Sequence, residues 1–351
     1  MAAFHIQRQH NHKKLSLWWL LLAVPFVIII ITAILSFFWY QNNLKPVSNS
    51  DEEIVITINV GESAPEIGEA LHEKGLIRSS FAFDIYTRLN DYRNNLQAGG
   101  YKFTPSQSTQ EIVQSIVNGD VATDLITILP AQRLDQIRAS FITAGYSAEE
   151  VDSALDINNY LNSPVVKYIP EGGTLEGYLY PDSYQRTTNT KLETIVAASL
   201  EQMNRFLTPD LLAEYEKKGL SVNDAVIIGS IVEREVNNPE DRAKVAQVFL
   251  KRYKEGIMLG SDPTALYGAL LAGIEPSVFA DTPYNTRIYT GLPPSPINNV
   301  SVQSLRAVAF PADTEYLFFV SGDDGKTYFS YTLEEHEANT AQHCIELCNS
   351  Y

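Results

Sequence analysis

Between Leu15 and Tyr40 the chain carries no charged residue, and Leu17 to Trp39 is a nearly unbroken apolar run of 23 residues. As a helix rising about 1.5 Å per residue it would extend roughly 35 Å, enough to cross a bilayer with some tilt. Trp18, Trp19, Trp39 and Tyr40 stand at its two ends, where amphipathic rings favour the headgroup level. A cleaved signal peptide would have a shorter apolar core and a small-residue cleavage site, and Phe37-Phe38-Trp39-Tyr40 is not one. Beyond the run the pattern changes to period two. Ile54, Ile56, Ile58 and Val60 alternate with Val55, Thr57 and Asn59, as in a strand with one buried face. Ser63 with Glu66, and Ser108 with Glu111, are capping boxes that open helices stopped by Gly75 and Gly119. A helix over 81–89 and a strand at Tyr101-Lys102-Phe103 complete a strand–helix–helix–strand–helix unit over 54–120.

Further on, the pattern predicts a strand over 125–129, helices over 134–144 and 191–205, and a helix from Asp224 to Val236 capped by Ser221 or Asn223. Phe318, Val320 and Tyr328 around the tip Gly322-Asp323-Asp324-Gly325 predict a hairpin. The fold class expected is α+β. The domains expected are a tail 1–14, a transmembrane helix 15–40, a polar linker 41–53 that tethers the body, a small α/β domain 54–120 and a larger mixed α/β domain 121–351.

Charge sharpens this picture. The net charge is −16, yet residues 1–40 hold Arg8, Lys13, Lys14 and no acid, so the remainder carries −19. Such a body repels nucleic acid, which needs a basic footprint. The bases before the run, and Asp51-Glu52-Glu53 after it, place the tail in the cytoplasm and the body outside, in the cell wall, periplasm or exterior. Cys344 and Cys348, four apart, could share a helix face and pair locally. Their spacing with His336 and His343 fits no standard zinc pattern, so neither metal nor cofactor is expected.

Candidate chemistry lies in Ser230-Ile231-Val232-Glu233-Arg234-Glu235 and the segments that follow it: Asp262-Pro263-Thr264, Tyr284-Asn285-Thr286 and Gly291-Leu292-Pro293-Pro294. At about 100° per residue, Glu233 falls beside Val226, Gly229 and Ser230, where small neighbours would admit a bulky ligand. Glu235 falls on the apolar side, as a buried acid with a basic partner or a charge reaching solvent. A ring, an amide and a hydroxyl in succession suit a polar polymer such as a glycan, and the prolines make a stiff groove wall.

These residues, with Ala98-Gly99-Gly100-Tyr101, Leu175-Glu176-Gly177-Tyr178-Leu179-Tyr180-Pro181-Asp182-Ser183-Tyr184 and Glu335-His336, resemble the MltG (YceG-like) family of membrane-anchored endolytic murein transglycosylases. The likeness covers nearly the whole chain. It implies that the small domain is LysM-like and that Glu233 is the catalytic acid/base. It further implies cleavage between N-acetylmuramic acid and N-acetylglucosamine inside nascent strands, leaving 1,6-anhydro ends and terminating elongation. Asp262, Tyr284, Asn285, Thr286 and Glu176 are the expected substrate contacts. Departures from the family pattern occur at Gly260, Arg287, Thr327 and Ala131-Gln132.

One carboxylate suffices for such chemistry, because the sugar's own 6-hydroxyl replaces the water that a hydrolase must activate with a second one. Burial beside Val226 and Ile227 is expected to keep the acid protonated. Two other readings remain open. One is a hydrolase with Asp262 or Glu176 as second carboxylate. The other is a non-catalytic wall-binding scaffold whose large domain docks synthases such as penicillin-binding proteins.

Overall fold

The computed structural model describes residues 17–346 and 348 apart from 60, 123, 188, 189 and 237; the side chains of 17–24, 27, 29 and 239 also lie outside the description. The expected tail 1–14 is therefore not covered. Helix α1, Leu17–Asn43, follows the uncharged run and contains Pro25. Among the described residues no helix is long and apolar enough to cross a membrane, and the run's first side chains are not among those described.

The next elements follow the expected order: β1 (Ile54–Ile58), α2 (Ala64–Glu73), α3 (Ser80–Leu89), β2 (Gly99–Phe103) and α4 (Thr109–Asn118). Both capping boxes form, and Gly119 ends α4 in the left-handed conformation at φ 71°. Strands β1 and β2 pair antiparallel, Ile54 opposite Phe103 and Ile58 opposite Gly99. Ile56, Ile58, Ile67, Leu71, Phe83, Tyr101 and Ile112 bury one compact core between ribbon and helices.

The polar stretch after α1 is no loose tether. Leu44 is buried, and its carbonyl accepts from the Thr109 N–H at 3.0 Å. The Ser48 N–H donates to Pro105 at 3.1 Å, and Arg78 Nε donates to the Pro46 carbonyl at 2.8 Å. Backbone groups that a free linker would give to water are satisfied by the unit itself, so α1 ends directly against it.

The rest is mixed α/β around a second core. Strand β3 (Leu125–Ile128) leads to α5 (Leu134–Thr143) and α6 (Ala148–Ala154). Strand β4 (Asp182–Gln185), which the sequence pattern does not predict, pairs antiparallel with β3. Helices α7 (Leu192–Phe206), α8 (Pro209–Lys217), α9 (Val222–Glu235), α10 (Pro239–Glu255), α11 (Asp262–Leu271) and α12 (Val302–Ala309) follow. The hairpin β5 (Phe318–Ser321) and β6 (Thr327–Ser330) and helix α13 (Leu333–His343) close the chain. Cys344 and Cys348 form a disulfide just past the end of α13, not along its face.

The two ribbons meet where only a glycine fits. A Cβ on Gly100 would lie 2.5 Å from both Ser183 Oγ and Thr127 Oγ1. The Ser183 hydroxyl in turn bonds the Thr57 hydroxyl at 2.7 Å and that of Thr127 at 2.9 Å.

Candidate active site

Helix α9 is the axis of the second core. Ser221 caps it, with Asp224 closing the box, and α8, α10, α11 and α12 pack around it. Ala225 to Glu233 are all buried, so the helix has no open side along that length. A wheel drawn for a helix with one wet face therefore misassigns the last turn. The segment 297–301 is strapped along α9. Ile297 N–H donates to Ser230 Oγ at 3.1 Å, Asn298 Nδ2 donates to the Ser230 carbonyl at 2.8 Å, and Val300 lies 3.0 Å from where a Gly229 Cβ would be.

This packing decides what the two acids can do. Glu233 is only 4% exposed. Its Oε2 accepts from the Ser301 N–H at 3.0 Å and the Ser301 hydroxyl at 2.6 Å, while Arg242 Nη2 donates to its Oε1 at 3.3 Å. Arg242 also donates from Nε to the Val236 carbonyl at 3.1 Å. Glu233 thus fastens the end of α9 to α10 and to Ser301, the N-cap of α12. The small, ligand-admitting surround expected at Glu233 is filled by this network, and both carboxylate oxygens are spent as acceptors.

Glu235, two residues on, is the last residue of α9 and only half-buried. Ser261 Oγ donates to its Oε1 at 2.6 Å. Burial pushes its carboxyl up to about 7, with the Asp262 charge adding to the rise; the Ser261 hydrogen bond and Arg234 work the other way. A carboxylic acid tuned near neutral pH, with one oxygen held by a hydroxyl, has the properties of a general acid.

Within the downstream motifs, Thr264 and Thr286 position Ser261 and point inward. Ser261 N–H donates to Thr286 Oγ1 at 3.1 Å, Thr264 Oγ1 donates to the Ser261 carbonyl at 2.6 Å, and the hydroxyls of Thr264 and Thr286 lie 2.8 Å apart. Gly260 makes the turn before them at φ 74°. Asn285 is buried, its amide donating to the carbonyls of Val278 at 3.0 Å and Ala280 at 2.8 Å. Thr286 is buried as well. Neither Asn285 nor Thr286 offers a free group to substrate as arranged here; together they brace the loop under Ser261.

The other expected contacts divide. Asp262, the first residue of α11, is partly exposed beside the Ser261–Glu235 pair and takes an ion pair from Arg287 at 2.5 Å. That contact accounts for the basic residue after Tyr284-Asn285-Thr286. Tyr284 is half-buried, its hydroxyl bonded to Ser295 Oγ at 2.8 Å and its ring edge-on to Tyr267 at 5.1 Å. Glu176 is buried, accepting from the Leu134 N–H at the start of α5 and, at 2.9 Å, from the Tyr267 hydroxyl. Burial raises it too to about 7. It is a core acid whose partners are all internal. Sequence reasoning missed Arg242 and Ser301 altogether; Ser261 stands in the motif Ser261-Asp262-Pro263-Thr264 but had no role assigned to it.

From the first unit, Glu62 in the turn after β1 is half-buried and close enough to feel the Arg242 charge, which eases an ionisation that burial opposes. The small unit therefore approaches the α9–α10 region.

A half-buried acid at a helix end, held by a hydroxyl and raised toward neutral pH, is a group suited to acid–base chemistry in a mixed α/β fold. The YceG-like family profile matches residues 56–342, and the chain belongs to that family. It is 31% identical over 324 residues to the endolytic murein transglycosylase of Bacillus subtilis, covering 86% of this chain and 88% of that protein. The protein of the same name from Streptococcus pneumoniae is 27% identical over 343 residues, or 88% of this chain and 62% of its own length. Among solved structures, a YceG-like protein from Listeria monocytogenes superposes with a TM-score of 0.54 at 30% identity, covering 82% of this chain and 99% of that one.

Proposed function

We propose that this chain is an endolytic murein transglycosylase that cuts peptidoglycan glycan strands with Glu235 as its proton carrier. The observation that carries the reading is the contrast on α9. Glu235 is near-neutral in tuning and partly open, whereas Glu233 is consumed by Ser301 and Arg242. The catalytic role that the family resemblance places at Glu233 passes to Glu235 on these grounds, and Glu233 becomes the strut that holds the helix end still.

In this mechanism the protonated Glu235 gives its proton to the glycosidic oxygen as the bond from C1 of N-acetylmuramic acid breaks. The resulting carboxylate then takes the proton of the sugar's 6-hydroxyl as that oxygen closes on C1. The proton count balances within one carboxyl, the enzyme returns to its starting state, and the product carries a 1,6-anhydro ring. Ser261 orients the carboxylate, and Asp262 keeps its affinity for the proton high. Asp262 and Tyr284 are the partly exposed expected residues left to meet the strand.

The body acts outside the cytoplasm, at the wall. Residues 15–40 serve as a single membrane span, residues 54–120 as a LysM-like unit, and residues 121–351 as the catalytic domain. The 23-residue apolar run and the strand–helix–helix–strand order support these assignments. So held, the enzyme would meet strands as the synthases extend them and end their growth.

The test is digestion of murein by the wild type, Glu235→Gln and Glu233→Gln, read by mass spectrometry. The proposal expects anhydro ends from wild type and none from folded Glu235→Gln. Reducing ends would point to hydrolysis. Full activity in Glu235→Gln would move the chemistry to another residue.

A further inference from the structure

A cavity of about 510 Å³ lies far from α9, between the end of α1 and helix α3. Its walls are Leu35, Trp39 and Tyr40 on one side and Phe81, Ile85 and Leu89 on the other. The three α3 residues recur every four positions and form one stripe, opposite the face that buries Ala82, Phe83 and Thr87. Phe81 is 63% exposed and Leu89 70% exposed. A helix turned so that these side chains stand free gains nothing from water; something apolar is expected to cover them.

The surroundings identify the cover. The stripe is continuous with α1, whose Leu35 and Phe38 are themselves exposed, and the Trp39 and Phe81 rings stand 6.0 Å apart. The strap from Leu44 to Ser48 is bonded to Thr109, to Pro105 and to Arg78 just before α3, which keeps the unit that carries the stripe beside the end of α1. In a chain of net charge −16, exposed bases stand near the stripe: Lys45 just past α1, Arg78 just before α3, and Arg88 beside Leu89, the last ion-paired to Asp84 at 3.4 Å. Apolar side chains flanked by rings and bases match the acyl–headgroup boundary of an anionic bilayer.

We propose that the α1–α3 cleft is a lipid-binding seat, in which Phe81, Ile85 and Leu89 dip into the outer leaflet and hold the small unit flat on the membrane. This rests on the reading of α1 as a span. It adds a second contact, one that fixes the orientation of the catalytic body and so its height above the surface.

The full chain has no free cysteine, so one introduced thiol carries one nitroxide. Phe81→Cys, Leu89→Cys, Ile31→Cys and Glu216→Cys are labelled in vesicles of phosphatidylglycerol and phosphatidylethanolamine. Accessibility to oxygen and to a water-soluble nickel chelate is then compared. The seat predicts an oxygen-to-nickel ratio at 81 and 89 several-fold above that at exposed Glu216 on α8. Equal ratios at 81, 89 and 216, with Ile31 reporting lipid, overturn the seat and leave the span standing. Water exposure at Ile31 overturns both. Protection of 81 and 89 from both reagents means that protein covers the stripe and the lipid seat is wrong.

Discussion

Ser261 Oγ lies 2.6 Å from Glu235 Oε1, and the main chain of Ser261 is itself pinned by Thr264 and Thr286. Thr264 and Thr286, from two separate motifs downstream of α9, therefore act on one carboxyl through Ser261. Because the Ser261 bond favours the ionised form, it restrains a rise that burial drives. Replacing Ser261 by Ala removes the restraint, and the basic limb of the pH–rate profile should move upward, by up to about one unit. Turnover should fall as the carboxyl loses its orientation, by roughly tenfold. A profile that keeps its position while the rate drops would make Ser261 merely structural.

The same tuning costs stability. Glu235 has an ordinary value of 4.5 and stands at about 7 in the fold. Between those values the folded chain holds a proton that the unfolded chain has released, so stability falls as pH rises through the window and stays low above it. Glu235→Gln removes this dependence. It should be more stable than wild type by on the order of 1–3 kcal/mol at pH 8, and by little near pH 4. Glu176 titrates in the same window in both proteins and cancels from the comparison. Chemical denaturation at the two pH values checks it.

Activity should follow the protonated fraction. If Glu235 must enter the reaction as an acid, kcat/KM falls about tenfold per pH unit once pH exceeds its value near 7. A rate still rising at pH 9 would exclude a carboxyl tuned near neutrality as the donor.

Much of the small unit was legible because its signals are local. The Ser63–Glu66 and Ser108–Glu111 boxes, the alternation from Ile54 to Ile58 and the stop at Gly119 each fix structure within a few residues. Helices α10 and α12 were not anticipated. Their apolar positions face α9 and each other, and that periodicity has no meaning until the partner is in place. Strand β4 was hidden for the same reason, since Asp182 to Gln185 extend only because β3 lies beside them. At the site, the motif was visible but the partners of its two acids were not. A helical wheel separates Glu233 from Glu235 by angle alone, whereas the deciding facts are that Ser301 and Arg242 arrive at one and Ser261 at the other. Those partners are 68, 9 and 26 positions away in the chain.

The Glu233–Arg242 pair offers a direct check on that division. Both side chains are buried, and the gap is 3.3 Å. Removing one partner strands the other charge, so Glu233→Gln or Arg242→Met should each destabilise by about 3–5 kcal/mol. The double variant should recover part of that loss, with a coupling of roughly 0.5–3 kcal/mol. Additive losses would mean that the pair does not act as a unit. Residual murein cleavage by Glu233→Gln at low temperature, where it remains folded, is expected and would separate a strut from a proton carrier.

Gly177 tests how the proline wall is seated. Its φ is 86°, and a Cβ there would stand 2.4 Å from Pro296 Cβ and 3.2 Å from Val226 Cγ1 on α9. Alanine at this position must adopt the left-handed backbone and push the wall from the helix at the same time. Neither neighbour is a flexible chain end that could swing aside. Gly177→Ala should therefore destabilise by roughly 2–5 kcal/mol, backbone strain and overpacking together. It should also lower murein cleavage beyond the loss of folded protein, because the 297–301 strap that follows Pro296 delivers Ser301 to Glu233. Thermal unfolding and specific activity per folded molecule separate the two effects. A fully stable Gly177→Ala would show that the wall is free to shift.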